Sequence, residues 1–171
     1  TYNIPIVGGH TNLKTDRPQL AATILGKANV LITSFDASPG QVLVVISDQR
    51  GSYVGESKNF ASFIGVNPIR LQEDNEILPA LAEKKLISSG KDISQGGIIG
   101  TSIMLAESSG VGIEIDALAL KCPDDNLEKW MTAFPSFGFL LSVNEENLSE
   151  VLSAFQTRSI DARRVGRITE G

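Results

Sequence analysis

From Ile98 to Ile168 the sequence alternates between helical and extended segments, and this alternation limits the folds open to the chain. The helical segments carry apolar residues at helical spacing and cover Ile98–Ser109, Leu127–Phe134 and Leu148–Phe155. An extended apolar run follows each of them, at Val111–Ile115, Phe137–Val143 and Ile160–Ile168. This order predicts a β-sheet covered by helices.

The first half of the chain is less regular. The β-branched run Gln41–Ser47 (QVLVVIS) predicts its strongest strand. We also expect strands at Ile4–Val7, ahead of a Gly-Gly turn, and at Gln19–Gly26. Asn59–Phe63 is predicted to be helical, and a helix begins near Pro79, because proline is tolerated only in the first turn. Together the two halves indicate an α+β fold with a mixed β-sheet.

Composition excludes several classes of protein. The length of 171 residues is typical of one domain, and 42% of the residues are hydrophobic and 20% are charged. The net charge of −5 disfavours nucleic-acid binding, which usually needs a basic surface. One cysteine and one histidine exclude an intramolecular disulfide and a Cys/His zinc site. No apolar run approaches the ~20 residues of a membrane span and no signal peptide is visible, so we expect a cytoplasmic protein without membrane contact.

The stretch Lys91–Gly97 (KDISQGG), just before the apolar helix, is the most informative for function. A glycine pair at a helix start exposes backbone N–H groups that form an anion site, typically for phosphate. We therefore propose phosphate or substrate contacts from Asp92, Ser94, Gly96 and Gly97, with Asp92 also able to hold magnesium. The alternative is that Asp92 or Ser94 caps the helix and the glycines only permit tight packing.

Two other places carry weaker signals. Gly8-Gly9-His10-Thr11 predicts a hinge close to a nucleotide, or else an ordinary turn with an exposed histidine. Arg50 follows the strongest strand and is a candidate two-pronged phosphate clamp, or else a surface arginine. The basic residues near the C-terminus are interpreted as a solvated strand face; they are Arg158, Arg163, Arg164 and Arg167.

Three stretches resemble the C-terminal half of the aminoimidazole ribonucleotide (AIR) synthetase superfamily. They are IVGGHT (Ile6–Thr11), GKDISQGGIIGTSIMLAESSGVGIEI (Gly90–Ile115) and VGRITEG (Val165–Gly171). The segment LPALAEKKLISSGKDIS (Leu78–Ser94) is most similar to an AIR synthase-related branch of that superfamily whose function is not assigned. His10 departs from the acidic residue usual in the hinge, which puts a metal or nucleotide role there in doubt.

The resemblance implies a three-layer, partly ferredoxin-like domain over residues 17–171, preceded by a hinge segment over 1–16. The ATP-binding domain that family members place upstream is absent from this chain. ATP and magnesium are therefore expected as cofactors of the full-length protein and not of the fragment alone. A phosphorylated metabolite or ATP is the expected ligand, and full-length family members are usually homodimeric.

Two functions remain open on the sequence. The first is the substrate-side, C-terminal domain of an ATP-dependent phosphoryl-transfer enzyme, inactive by itself because the metal-holding carboxylates lie upstream. The second is a non-catalytic domain that binds a phosphorylated metabolite or a partner subunit.

The chain should fold alone, because its apolar helices and strands suffice for one core. Differential scanning calorimetry of the purified chain is expected to show a cooperative unfolding transition. A melt without one contradicts this expectation.

Overall fold

In residues 2–171, which this computed structural model describes, the strand β1 (Val42–Ser47) lies at the centre of a five-stranded sheet. All six of its residues are buried. Val42, Val44 and Ile46 pack into the core on one face of the sheet, and Leu43 and Val45 pack into the core on the other. A strand that is buried on both faces has a continuous apolar run. For this reason the sequence QVLVVIS predicted β1 correctly.

The main sheet has the strand order β4-β7-β1-β8-β5, and every neighbouring pair is antiparallel. The remaining strands are β2 (Ser52–Tyr53), β3 (Asn59–Ala61), β4 (Ser89–Asp92), β5 (Gly112–Ile115), β6 (Phe134–Pro135), β7 (Gly138–Val143) and β8 (Asp161–Thr169). β2, β3 and β6 form a second sheet, in which β3 and β6 are parallel. The α+β fold class is confirmed; among the named strands of the described chain, the parallel pair lies in the small sheet.

Helices cover both faces of the main sheet and produce three layers. They are α1 (Pro68–Asn75), α2 (Ile77–Glu83), α3 (Gly97–Ser109), α4 (Leu127–Met131) and α5 (Leu148–Gln156). Leu105 of α3 and Trp130 of α4 belong to the core on one face. Leu81 of α2 and Phe155 of α5 belong to the core on the other.

The small sheet joins the loop after β1 to α4. Phe60 makes edge-to-face contacts with Tyr53 and Trp130, with ring centroids 5.2 Å apart in both pairs. Lys129 lies over the Tyr53 ring at 3.4 Å from its centroid. Burial raises the pKa of the Tyr53 hydroxyl, and the nearby Asp124 and Cys122 raise it further.

Most of the predicted elements in the second half are confirmed. One predicted element type in the first half and one predicted helix end in the second half are wrong. Asn59–Phe63 is not helical, because β3 pairs there with β2 and β6. The helix from Leu127 ends at Met131 and not at Phe134, since Phe134–Pro135 is drawn into the small sheet. In both cases pairing with distant residues overrides the local pattern.

The N-terminal part of the described chain, residues 2–32, contains no helix or strand. The strands predicted at Ile4–Val7 and Gln19–Gly26 are therefore wrong for this structure. A strand needs a neighbour for its N–H and C=O groups, and within the described residues the first contact of the chain with a sheet is the parallel bridge between Thr33 and Ser89, just after this region. The sequence reasoning also missed α1 and β4.

None of the helices in the described part of the chain is long and apolar enough to cross a membrane.

We predict opposite outcomes for two substitutions on α3. Leu105→Ala removes a side chain with 0% exposure and should lower the free energy of unfolding by roughly 2–5 kcal/mol. Ile103→Ala, on the 54% exposed outer face, should change it by no more than about 0.5 kcal/mol. Chemical denaturation of the two variants checks this, and equal losses would show that α3 is packed differently.

Candidate functional site

The turn before α3 lies where the sequence predicted an anion site. Gly96 has φ +100° and Gly97 has φ +64°, backbone conformations that glycine adopts without strain. The Gly97 N–H donates to the Ser94 carbonyl at 3.0 Å, and the Ser94 N–H donates to Thr101 Oγ1 at 3.1 Å. The turn is thus held by its own backbone and by the helix that follows.

No side chain in the described chain caps the N-terminus of α3. Asp92 does not reach it: its carboxylate, 64% exposed, pairs with Lys91 Nζ at 3.1 Å. The Ser94 hydroxyl makes no hydrogen bond within residues 2–171, and the N–H groups of Ile98 and Ile99 likewise find no acceptor there. The capping alternative is therefore wrong, and the helix start keeps free donors beside its positive dipole end.

Tight packing is nevertheless part of the reason for glycine at one of the two positions. A side chain on Gly97 would overlap the backbone of Met131 and Thr132, at the end of α4. A side chain on Gly96 would meet only Gly100, at 3.4 Å. Gly97 is thus required by the contact between α3 and α4, while Gly96 is exposed at the surface of the turn.

The Asp92 turn and the Arg50 loop lie at the same edge of the main sheet. The Asp48 N–H, after β1, donates to the Phe137 carbonyl at 3.0 Å. The Ile93 N–H, after β4, donates to the Gly138 carbonyl at 2.9 Å. Because β7 lies between β1 and β4, the C-terminal ends of these two strands are two strand spacings apart, about 10 Å.

A cluster of buried ion pairs occupies this edge on the Arg50 side. Asp48 and Asp74 have side chains that are only 3% exposed. Arg50 Nε binds Asp48 at 2.7 Å, and its Nη2 binds Asp74 at 3.0 Å. Arg70 Nη2 binds Asp48 at 3.1 Å, and Arg158 Nε donates to Asp74. The cluster ties the loop after β1 to α1 and to the turn between α5 and β8.

Arg50 is engaged on every side within this cluster. Besides the two carboxylates, its Nη1 donates to the Arg158 carbonyl at 2.8 Å. The hydrogen bond to Asp48 is the main reason that the pKa of Arg50 is raised, and the bond to Asp74 does the same for Arg158. Since both pKa values are raised from an already strongly basic range, both guanidinium charges and the stability they contribute are fully present at neutral pH. A phosphate would have to compete with these partners, so the clamp role of Arg50 stays a prediction.

Arg158 was not recognised as a cluster residue from the sequence. The prediction of a solvated strand face fits the other three arginines, which lie on β8 and pair with acidic partners at the surface: Arg163 with Asp161, Arg164 with Glu145 and Arg167 with Glu114. Arg158 precedes β8 and binds Glu73 and Asp74. The sequence pattern did not predict α1, so it could not place Asp74, which lies on α1, beside Arg158.

A cavity of ≈ 600 Å³ adjoins the ion-pair cluster. Its lining residues include the acidic Asp48, Asp74 and Glu76, the serines Ser62 and Ser136, and the aromatic Phe63 and Phe137. Tyr2, Asn3, Ile4 and Ile24 close part of it from the N-terminal region. Asp92 lines a different cavity of ≈ 370 Å³, together with Lys91 and Phe139.

The structure does not bring the predicted hinge to the turn before α3. Gly8, Gly9, His10 and Thr11 are exposed, and within residues 2–171 no hydrogen bond joins them to the domain. The described chain also holds no group of three or more metal-ligating side chains. Asp92 would supply a single ligand to magnesium, so the other oxygens would have to come from a phosphate, water or another part of a longer protein.

Comparison with solved structures identifies the fold. The chain is similar to the Thermotoga maritima PurL complexed with ATP, with a TM-score of 0.65 and 18% identity over 84% of this chain and 24% of that one. This three-layer arrangement is the fold of the C-terminal domain in AIR synthase-like proteins. Residues 38–171 match the family described as AIR synthase related protein, C-terminal domain, and the chain belongs to that family.

Two curated relatives show how far the similarity extends. The chain is 40% identical over 177 residues to the Synechocystis sp. protein named "Uncharacterized protein sll0787", covering 99% of this chain and 53% of that protein. It is 23% identical over 184 residues to the phosphoribosylformylglycinamidine synthase subunit PurL of Carboxydothermus hydrogenoformans, covering 97% of this chain and 25% of that subunit. The chain thus spans about half of the first relative and a quarter of the second.

The ion-pair cluster yields a stability prediction. Asp74→Asn removes the buried carboxylate that Arg50 and Arg158 share, while Asp48 and Glu73 remain as partners, and should cost roughly 1–3 kcal/mol of unfolding free energy. The control Glu73→Gln changes a carboxylate that is 56% exposed and should cost at most about 1 kcal/mol. Urea denaturation at neutral pH measures both, and a similar small loss in each would mean that the cluster contributes little.

Proposed function

We propose that this chain is the substrate-side, C-terminal domain of an ATP-dependent phosphoryl-transfer enzyme and is inactive alone. The observation that carries the proposal is the uncapped start of α3 behind Gly96-Gly97, where free N–H groups and the helix dipole favour an anion. Membership of the family and similarity to a PurL solved with ATP support it. Phosphoryl transfer depends on positioning and charge neutralisation, which two parts of a protein can supply together.

In this proposal the turn before α3 holds a phosphate group. The N–H group of Ile99 donates to one of its oxygens, and the free Ser94 hydroxyl adds a second donor. Asp92 would release Lys91 and contribute one carboxylate oxygen to magnesium. Arg50, in the loop after β1 at the same end of the main sheet, would contact another part of the same substrate.

The rest of the machinery is proposed to lie in a longer polypeptide. Residues 1–16, with Gly8, Gly9, His10 and Thr11, would act as the hinge between an upstream ATP-binding domain and the domain over 17–171. ATP and magnesium would bind between the two, and the full-length protein would be a cytoplasmic homodimer.

The second candidate is a non-catalytic domain that binds a phosphorylated metabolite or a partner subunit, and the ≈ 600 Å³ cavity beside the ion-pair cluster would give it a separate site. A small molecule bound there would contact Asp48 and Asp74, and need not reach the turn before α3. The two candidates therefore predict different contact residues.

A titration with inorganic phosphate, followed by backbone amide chemical shifts, tests the proposed function. We expect the amides of residues 94–99 to shift, because they surround the free donors. Ser94→Ala should weaken binding roughly tenfold, the effect of one hydrogen bond to a charged group. The control Ser149→Ala removes an exposed hydroxyl in the first turn of α5 and should leave binding unchanged.

Shifts confined to the walls of the ≈ 600 Å³ cavity, with residues 94–99 silent, would contradict the phosphoryl-transfer proposal and favour the binding domain. ATP turnover by the purified chain itself would contradict the claim that it is inactive alone.

A further inference from the structure

Another cavity, of ≈ 570 Å³, lies where β1 ends and β8 begins. Three segments form it: the loop after β1, the loop before α4, and the turn between α5 and β8 with the first residues of that strand. A volume of this size is typical of a small-molecule site. Among its lining residues are Gln49, Arg50, Lys121, Cys122, Ser159 and Arg163.

Hydrogen bonds between these segments fix the walls of the cavity. Gln49 Nε2 donates to the Lys121 carbonyl at 2.8 Å, which ties the loop after β1 to the loop before α4. Arg50 Nη1 donates to the Arg158 carbonyl at 2.8 Å, which ties the same loop to the turn after α5. The cavity is therefore part of the folded backbone and is not a gap between side chains alone.

The cavity wall is cationic although the whole chain has a net charge of −5. Its charged side chains are three cations, Arg50, Lys121 and Arg163, and one carboxylate, Asp161. Asp161 binds Arg163 Nε at 2.9 Å, and Arg50 is neutralised in the ion-pair cluster. The exposed Lys121 ammonium has no partner within residues 2–171. In that range, one positive charge of the wall thus lacks a counter-ion.

The same wall offers hydrogen-bond donors to an oxyanion. Arg163 uses Nε for Asp161, and its two Nη groups have no acceptor in the described part of the chain. Paired guanidinium N–H groups match two oxygens of a carboxylate or a phosphate. The Ser159 hydroxyl is exposed and is likewise unbonded within residues 2–171.

Ser159 occupies a backbone position that favours glycine. Its φ is +60°, and α5 ends there with hydrogen bonds from the Ser159 N–H to the Gln156 carbonyl and from the Ile160 N–H to the Phe155 carbonyl. In this Schellman arrangement the left-handed residue is usually glycine. Serine there costs stability relative to glycine and adds a hydroxyl to the cavity. Lys85, with φ +58°, has the same position at the end of α2 and lies outside the cavity lining.

We infer that this cavity binds a small molecule through a carboxylate or phosphate group, which Lys121, Arg163 and Ser159 hold. The inference goes beyond the proposed function and does not depend on it. The start of β8 and the end of β4 are three strand spacings apart, about 14 Å, with β1 and β7 between them. The oxyanion bound here is therefore distinct from the phosphate at the turn before α3.

Two titrations followed by backbone amide shifts test the inference, one with inorganic phosphate and one with succinate. We expect the amides of residues 121, 122 and 159–163 to shift with at least one of them. Arg163→Gln and Lys121→Gln should each weaken binding roughly tenfold, which is the loss of one hydrogen bond to a charged group. The control Arg167→Gln changes an exposed arginine of the same strand, paired with Glu114 outside this cavity, and should leave affinity unchanged.

Ser159→Gly separates binding from stability. Because glycine fits the left-handed backbone, this variant should unfold at a higher urea concentration and yet bind the anion roughly tenfold more weakly. The matched control Lys85→Gly should gain stability for the same reason and keep full affinity.

The two probes also identify the class of ligand. A response to phosphate without one to succinate supports a phosphate ester, and the reverse supports a carboxylate. Silence of residues 121, 122 and 159–163 with both probes would overturn the inference, as would equal affinity in Arg163→Gln and Arg167→Gln. Phosphate shifts at residues 94–99 that persist in Arg163→Gln would leave the proposed function standing in either case.

Discussion

The burial of β1 on both faces is the constraint on which the rest of the structure depends. A strand whose six residues are all inaccessible to water must be paired on both edges and covered on both sides. β7 and β8 supply the pairing, and the two helix layers supply the cover. β1 therefore contributes to both cores, as its neighbours β7 and β8 also do, and the loop that leaves β1 at Asp48 starts from fully buried backbone.

The ion-pair cluster is the second consequence of that arrangement. Asp48 is drawn below the surface because it directly follows β1, and a buried carboxylate is stable only when it is paired and hydrogen-bonded. Arg50 and Arg70 provide that pairing, and Asp74 extends it to Arg158. The cluster fixes α1 and the α5–β8 turn against the sheet edge, and the same edge carries the turn before α3.

The turn before α3 differs from the cluster in how its polar groups are satisfied. In the cluster every carboxylate has an arginine partner. In the turn, the Ser94 hydroxyl and the first N–H groups of the helix have none within residues 2–171. The two loops lie at the same end of the main sheet; the cluster is internally neutralised, and the turn keeps unpaired donors. This contrast favours the turn as the binding element and the cluster as its rigid support.

By itself, the sequence determined the elements whose side-chain periodicity reflects burial. The run Gln41–Ser47, the helix ending at Gly110 and the glycine pair at 96–97 were all found from local pattern, because one segment contains the whole signal. Only the tertiary structure decided the rest. Asn59–Ala61 became a strand through pairing with Phe134–Pro135, and Arg50 acquired internal partners because α1 brings Asp74 to it. Gln19–Gly26 stayed unpaired, since a strand is defined by its neighbour as much as by its own residues.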